Sequence, residues 1–312
     1  MHDDELDVDE ELVSRLLGTL SPAYAGLPLR RFDATGSTNA LFRLGDELLV
    51  RVPRQPGGTA TIEKEQRWLP MVAQHLPVAV PEVVAVGEPA FGYPERWSVV
   101  RYLTGERPDV PRPGEAPRHE LASDLAGVVH ALRGMPVPPE AVGDPDLEWY
   151  RGRALASMDE DLHRFLEECE ELLGKDGLDL DLEGVRRVWA ATLQLPRASS
   201  ISAPTWYHGD LNAENLLLRE GRLVAVLDFG GLSLGDPTND LAVAWQLLDP
   251  AARATFRSEL GVDDETWQVA RGWALVLALM GPGYYWHTMR ERCLRGLHTA
   301  REVLADAAAE GV

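Results

Sequence analysis

Lysine is almost missing from this chain: among 312 residues it occurs only at Lys64 and Lys175, and neither lies in a stretch with strand character. Cysteine is as scarce. Cys169 and Cys293 both fall in stretches of helical periodicity, which argues against a disulfide framework and fits a reducing cytoplasm. No apolar run is long enough to span a bilayer. The most apolar one, residues 273–280, is cut by Gly281-Pro282-Gly283. The acidic start, MHDDELDVDEE, lacks the apolar segment of a signal peptide. Internal repeats and low-complexity tracts are absent. Basic residues are outnumbered 50 to 30, a net charge of −20, which disfavours nucleic acid and anionic membranes as partners. That balance serves solubility or attracts a cationic ligand.

What is present describes a soluble globular protein, with 45% hydrophobic and 26% charged residues. The length suits one large domain or two lobes with a full core. Residues 10–20 have an amphipathic helix pattern with Leu12, Val13, Leu16 and Leu17 on one face. Strand patterns follow at 29–35, 40–44 and 47–52, with the small polar loop Gly36-Ser37-Thr38-Asn39 between the first two. Amides of such a loop can face phosphates. In LLVRVPR the period of two places Leu48, Val50 and Val52 on one face and Arg51 on the other. Residues 61–74 have helix periodicity with Glu65 on the same face as Ile62 and Leu69, and Arg51 is the natural partner of that inward carboxylate. Pro70 lies inside this pattern and is expected to kink or shorten the helix. An edge strand is expected within 78–86, and a strand at 97–103. A Pro- and Gly-rich stretch, 104–118, marks the boundary between lobes.

Beyond it the pattern is mostly helical: 120–132, 155–173, 185–193, 239–248, 267–280 and 288–306. Between residues 144 and 183 there are 14 acids against 4 bases, a block that is either a solvated face or a wall for a cationic ligand. His130 is expected to be structural, with the catalytic loop as its other possible neighbour. Tyr284, Tyr285, Trp286 and His287 form either core or an aromatic wall of a binding site.

The most informative stretch is 206–240, WYHGDLNAENLLLREGRLVAVLDFGGLSLGDPTND. Leu216 to Leu218 make a strand, Glu220-Gly221 a hairpin turn, and 223–227 a second strand. The hairpin sets Asp210 and Asn215, before its first strand, beside Asp228, after its second. Buried strands that end in carboxylates and an amide call for a cation, because unpaired buried charge is costly. Oxygen donors suit Mg2+ rather than zinc.

The spacing His208-Gly209-Asp210, Asn215, Asp228-Phe229-Gly230 follows the catalytic-loop and magnesium-loop pattern of kinases, with Gly209 where protein kinases have Arg. It resembles the aminoglycoside phosphotransferase and choline kinase-like family of small-molecule kinases. The resemblance implies an α+β, protein kinase-like fold of two lobes. An antiparallel sheet lobe would span 1–103, with a hinge about 98–105, and a mainly helical lobe 104–312. It implies transfer of the γ-phosphate of ATP or GTP to a hydroxyl of an antibiotic such as an aminoglycoside, or of an amino sugar or amino alcohol. Macrolides and metabolic alcohols are alternatives. Asp210 would orient or deprotonate the hydroxyl. Asn215 and Asp228 would hold Mg2+. Arg51 would take the place of the phosphate-binding lysine, oriented by Glu65, with Gly36, Ser37 and Thr38 over the phosphates. The Arg101 carbonyl and Leu103 amide would meet the purine, and Asp240 would brace the catalytic loop. The expected partner is a small, cationic hydroxyl compound, and the expected state a monomer or weak dimer. Protein kinase activity fits poorly: the HRD arginine is lacking, and Asp228 to Asp236 leaves little room for an activation loop. A nucleotide-binding pseudokinase would lose metal ligands or the acceptor carboxylate, and all three residues are present here.

Overall fold

The structure, a computed structural model, describes residues 5–32, 38–112, 114–174 and 176–311. It divides into two compact units, Met1–Glu106 with Val224–Gly230, and Arg107–Leu223 with Gly231–Val312.

The first unit contains helices α1 (Glu10–Leu20) and α2 (Pro22–Ala25), strands β1 (Leu29–Phe32), β2 (Asn39–Leu44) and β3 (Leu48–Pro53), helix α3 (Gly58–His75), and strands β4 (Val83–Gly87) and β5 (Trp97–Arg101). The strands form one antiparallel sheet of order β1-β2-β3-β5-β4. Its two faces do different work because side chains alternate along β3. Leu48, Val50 and Val52 join Phe42, Leu44, Trp97 and Val99 in a core that takes in Val13, Leu16 and Leu17 of α1. Arg51 points to the other face, toward α3. Asp9 caps α1 by accepting from the Leu12 amide at 2.7 Å. The start of α3 has no cap of its own, and Glu95 supplies one, accepting from the amides of Gly57 (2.9 Å) and Thr59 (2.8 Å).

Pro70 does not shorten α3, which runs on to His75. The carbonyl that proline leaves without a donor belongs to Gln66, which is exposed, so water can satisfy it. Strand β1 stops at Phe32, and the rest of the expected strand, with Gly36 and Ser37, lies outside the described residues. Ala79 adds a short bridge to residues 224–226: its amide donates to Val224 O (3.0 Å) and its carbonyl accepts from Val226 N (2.9 Å). This is why 224–230 counts with the first unit.

The second unit holds α4 (His119–Gly134), α5 (Asp159–Leu173), α6 (Leu182–Leu193), β6 (Thr205–Tyr207), β7 (Leu216–Arg219), the start of β8 (Arg222–Val226), β9 (Ser233–Gly235), α7 (Val243–Leu247), α8 (Pro250–Leu260), α9 (Asp264–Leu279), α10 (Pro282–Tyr285) and α11 (Arg290–Ala309). Strands β7 and β8 are joined by Glu220 and Gly221, both with positive φ (53° and 79°), as a tight hairpin of that twist requires. Two expected helices differ in detail. The segment expected as helix at 155–173 opens as a 3-10 turn, Leu155–Met158, before α5, and that at 239–248 is a 3-10 stretch, Pro237–Ala242, followed by the short α7. In the latter, Asp236 caps Thr238 N at 2.9 Å and six successive residues are buried, so packing sets the tighter winding. Both cysteines are buried and unpaired, and burial pushes the Cys169 thiol up to about 12. Among the described residues no helix is long and apolar enough to cross a membrane.

Candidate functional site

In the second unit the candidate residues sit on the loop that leaves β6. Asn215 Nδ2 donates to Asp210 Oδ2 at 3.0 Å and to the Asp210 carbonyl at 2.9 Å. The pair expected from the five-residue spacing is therefore brought together. Asn215 spends its nitrogen on Asp210, so its side-chain oxygen is the atom left to offer a cation. The Asp210 side chain keeps 32% exposure and is reachable.

The loop is held from behind. Asp240 accepts from the amides of His208 (2.6 Å) and Gly209 (2.8 Å), and Asn239 Nδ2 donates to Gly209 O at 2.9 Å. Burial pushes the Asp240 carboxyl above its ordinary range, against the pull of His208 and Arg133. Gly209 has φ +82°, and a Cβ there would lie 2.6 Å from Gly231 O and 2.7 Å from the Trp149 ring. Any larger residue is excluded, so the arginine of protein kinases has no room at this place.

An arginine reaches the loop from elsewhere instead. Arg151, in the 3-10 turn Tyr150–Gly152, bonds Asp210 Oδ1 at 2.6 Å and Gly209 O at 2.8 Å. Burial would raise the Asp210 carboxyl, but Arg151 outweighs it and, with His208 and Arg292, holds the group below its ordinary range. The sequence reading missed Arg151. Its signal was faint: a base directly after Trp149-Tyr150 inside the acid-rich block. Glu214, in the same loop, is bonded by Arg295 at 2.5 Å and lies 3.7 Å from Arg292.

The first unit holds a second group of candidate residues. Arg51 Nη1 meets Glu65 Oε2 at 2.5 Å, with both side chains almost fully buried (9% and 1% exposed). This is the pairing read from the two periodicities. Burial opposes the Arg51 charge, and Glu65 and Asp228 more than offset it. Glu65 is pulled both ways: burial and Asp228 favour its neutral form, Arg51 its charged form. At 2.5 Å from a guanidinium that stays charged, the ion pair is the state the geometry supports. Asp228 has φ +56°, a strained conformation for a residue other than glycine, and its Oδ1 accepts from Gly230 N at 3.3 Å. Among the described residues it has no basic partner within salt-bridge distance, so a half-buried carboxylate stands ready for a cation. Lys64 Nζ donates to Gly230 O at 2.9 Å, a link the sequence did not suggest.

Thr38 precedes β2, and Thr38 O accepts from Arg54 N at 2.9 Å. Arg101 ends β5, its side chain pairing with Glu47 and Glu82 at the surface, and Leu103 follows two residues later. His130 bonds Glu259 O at 2.9 Å, a structural role. Trp286 is core and Tyr284 is exposed. In the acid-rich block Arg164 pairs with Asp161 and Glu168, and Arg186 with Glu170 and Glu183, so these two bases offset only a small share of the acidic charge. No cluster of three or more His, Cys, Asp or Glu side chains is placed to hold a metal among the described residues.

The family model of the phosphotransferase enzyme family matches residues 30–273. An aminoglycoside 3'-phosphotransferase of Escherichia coli is 34% identical over 95 residues, 28% of this chain and 34% of that protein. One of Salmonella typhimurium is 31% identical over 83 residues, 26% and 30% of the two chains. The match thus spans about a third of the length of these curated relatives. Among solved structures, the GDP complex of aminoglycoside 2'-phosphotransferase-IIIa superposes with a TM-score of 0.69 at 17% identity, covering 96% of this chain and 100% of that one. A macrolide 2'-phosphotransferase from Brachybacterium faecium gives 0.61 at 21% identity, covering 94% and 98%. At these identities the likeness is one of fold: an antiparallel sheet unit and a helical unit, the α+β kinase-like architecture.

Proposed function

This chain belongs to the phosphotransferase enzyme family, and we propose that it transfers the γ-phosphoryl group of ATP or GTP to a hydroxyl of a small molecule, an antibiotic of the aminoglycoside or macrolide kind being the first acceptor to test. The observation that carries the reading is the Asp210–Asn215 pair, 3.0 Å apart on a loop braced by Asp240 and Arg151. Phosphoryl transfer is mostly positioning and charge neutralisation, and this loop is built to hold a carboxylate still.

In the reaction the acceptor oxygen attacks the γ-phosphorus, the bond to the β–γ bridging oxygen breaks, and the nucleoside diphosphate leaves. Asp210 accepts the hydroxyl hydrogen bond, takes the proton as the new P–O bond forms, and returns it to water. Asn215 and Asp228 would hold Mg2+, whose charge neutralises the phosphate oxygens. The unpaired Asp228 carboxylate and the free oxygen of Asn215 fit that ion's preference for oxygen donors. Arg51, kept in place by Glu65, binds phosphate oxygens. Thr38 and the backbone of Arg101 and Leu103 are the remaining nucleotide contacts, with Gly36 and Ser37 assigned from the sequence. Solved relatives of similar fold carry GDP or ADP, which supports a purine nucleotide as donor. Others carry kanamycin or gentamicin, which supports a polyhydroxylated acceptor. The sheet unit would bind the nucleotide and the helical unit the acceptor, in a protein that works in the cytoplasm.

The test is a screen of the purified protein with Mg2+ and ATP or GTP against kanamycin, gentamicin, erythromycin and choline, reading nucleoside diphosphate release. Acceptor-dependent release that needs Mg2+ is expected. A full panel with no stimulation above the rate in water alone would overturn the reading.

A further inference from the structure

Arg151 has no counterpart in the motif that identified the loop, and its surroundings assign it a task. The side chain is 9% exposed. Its Nε donates to Tyr150 Oη at 2.9 Å, Nη1 to Gly209 O at 2.8 Å and Asp210 Oδ1 at 2.6 Å, and Nη2 approaches Met280 Sδ at 3.7 Å. The guanidinium lies 4.4 Å from the centre of the Trp149 ring. That ring in turn fills the space beside Gly209 and Gly231. With each guanidinium nitrogen engaged, Arg151 has little left for substrate. Its effect passes through Asp210.

We propose that Arg151 is a positioning residue: it pins one carboxylate oxygen of Asp210 while Asn215 pins the other, so that Asp210 meets the acceptor as a fixed hydrogen-bond acceptor rather than as a mobile side chain. The inference rests on the reading of Asp210 as the acceptor-side carboxylate. The geometry leaves Asp210 two tethered oxygens, each with a lone pair to spare, and 32% side-chain exposure through which a hydroxyl can approach. A charge-assisted bond of 2.6 Å from a guanidinium is short and directional, so it fixes the oxygen that it holds. The remaining lone pairs then face the approaching hydroxyl in one orientation, and the proton taken as the bond to phosphorus forms passes on to water. Gly209 explains why this arginine comes from residue 151: the loop itself has no room for one.

The test uses the full chain, with Arg151→Gln and Arg151→Lys. The position of Asp210 is read in crystal structures of the wild type and of R151Q. The wild type should hold the Asp210 carboxylate in one conformer, bonded by Arg151 and Asn215, and R151Q should show it in more than one. Turnover is read with Mg2+-ATP and water as acceptor. R151Q should lose about tenfold to a hundredfold in kcat, as expected for a misplaced catalytic group. Its KM for ATP should stay within about twofold of the wild type, the mark of a residue that acts on one catalytic group. R151K should recover part of the loss. Should R151Q fail to fold, the wild-type crystal structure decides alone, and an Asp210 carboxylate without the Arg151 bond overturns the proposal. A single, wild-type-like Asp210 conformer in a folded R151Q overturns it as well. A pinned Asp210 in a protein that phosphorylates nothing would leave the pinning intact and refute the transferase reading instead.

Discussion

The Arg51–Glu65 pair allows stability and nucleotide binding to be separated. In Glu65→Gln the volume is kept and the charge removed, which leaves a buried guanidinium without its partner at 2.5 Å. Breaking a buried pair on one side costs about 3–5 kcal/mol. Asp228 still pulls on Arg51, so the low end applies, about 3 kcal/mol. For a chain of this size that corresponds to a fall in melting temperature of about 5 °C. Replacing both partners, Arg51→Met with Glu65→Leu, removes the charge and its partner together and should return stability to within about 1 kcal/mol of the wild type. The same double variant loses a charged contact to phosphate, about 1.5–3 kcal/mol, or roughly tenfold to hundredfold in affinity. Calorimetric melting and titration with a non-hydrolysable ATP analogue and Mg2+ read the two effects. Wild-type nucleotide affinity in the double variant would refute the phosphate role of Arg51. An unchanged melting temperature in E65Q would refute the energetic argument.

Asp210→Ala should cut turnover by several orders of magnitude and leave ATP affinity within about threefold, as kinetics and calorimetry together will show. Gly209→Ala places a Cβ 2.6 Å from Gly231 O at φ +82°, and should abolish turnover while lowering the melting temperature. Asp236 is 2% exposed and bonded by Arg197, Ser202 and Thr238, whose bonds outweigh burial and hold its carboxyl below the ordinary range. A carboxyl depressed on folding contributes stability that is present above its unfolded value and lost as pH falls through the folded one. Asp236→Asn should therefore melt lower than the wild type at neutral pH, and the gap should close below about pH 4 in a melting series across pH.

Several features were legible because they are local. Alternation along LLVRVPR told which way Arg51 points, since adjacent strand residues must face opposite sides. The three-and-four spacing of Ile62, Glu65 and Leu69 put the carboxylate on the buried face of α3. The hairpin at Glu220-Gly221 and the spacing of Asp210 to Asn215 follow from chain geometry over a few residues. Other features depended on partners far along the chain. Arg151 and Asp210 lie 59 positions apart, whereas the Asp240 brace on His208, 32 positions away, was expected from the family resemblance and not from periodicity. Nothing in the periodicity of either segment tells which segment it will pack against. The acid-rich block shows the same divide. Its charge could be counted and the Arg164 pairs, three and four residues apart on α5, follow from helix spacing, but the Arg186–Glu170 pair depended on which helix faces met. Pattern thus determined the face each side chain takes on its own strand or helix, because backbone geometry repeats every two or 3.6 residues. Packing alone decided what those faces touch, and so which arginine came to hold Asp210.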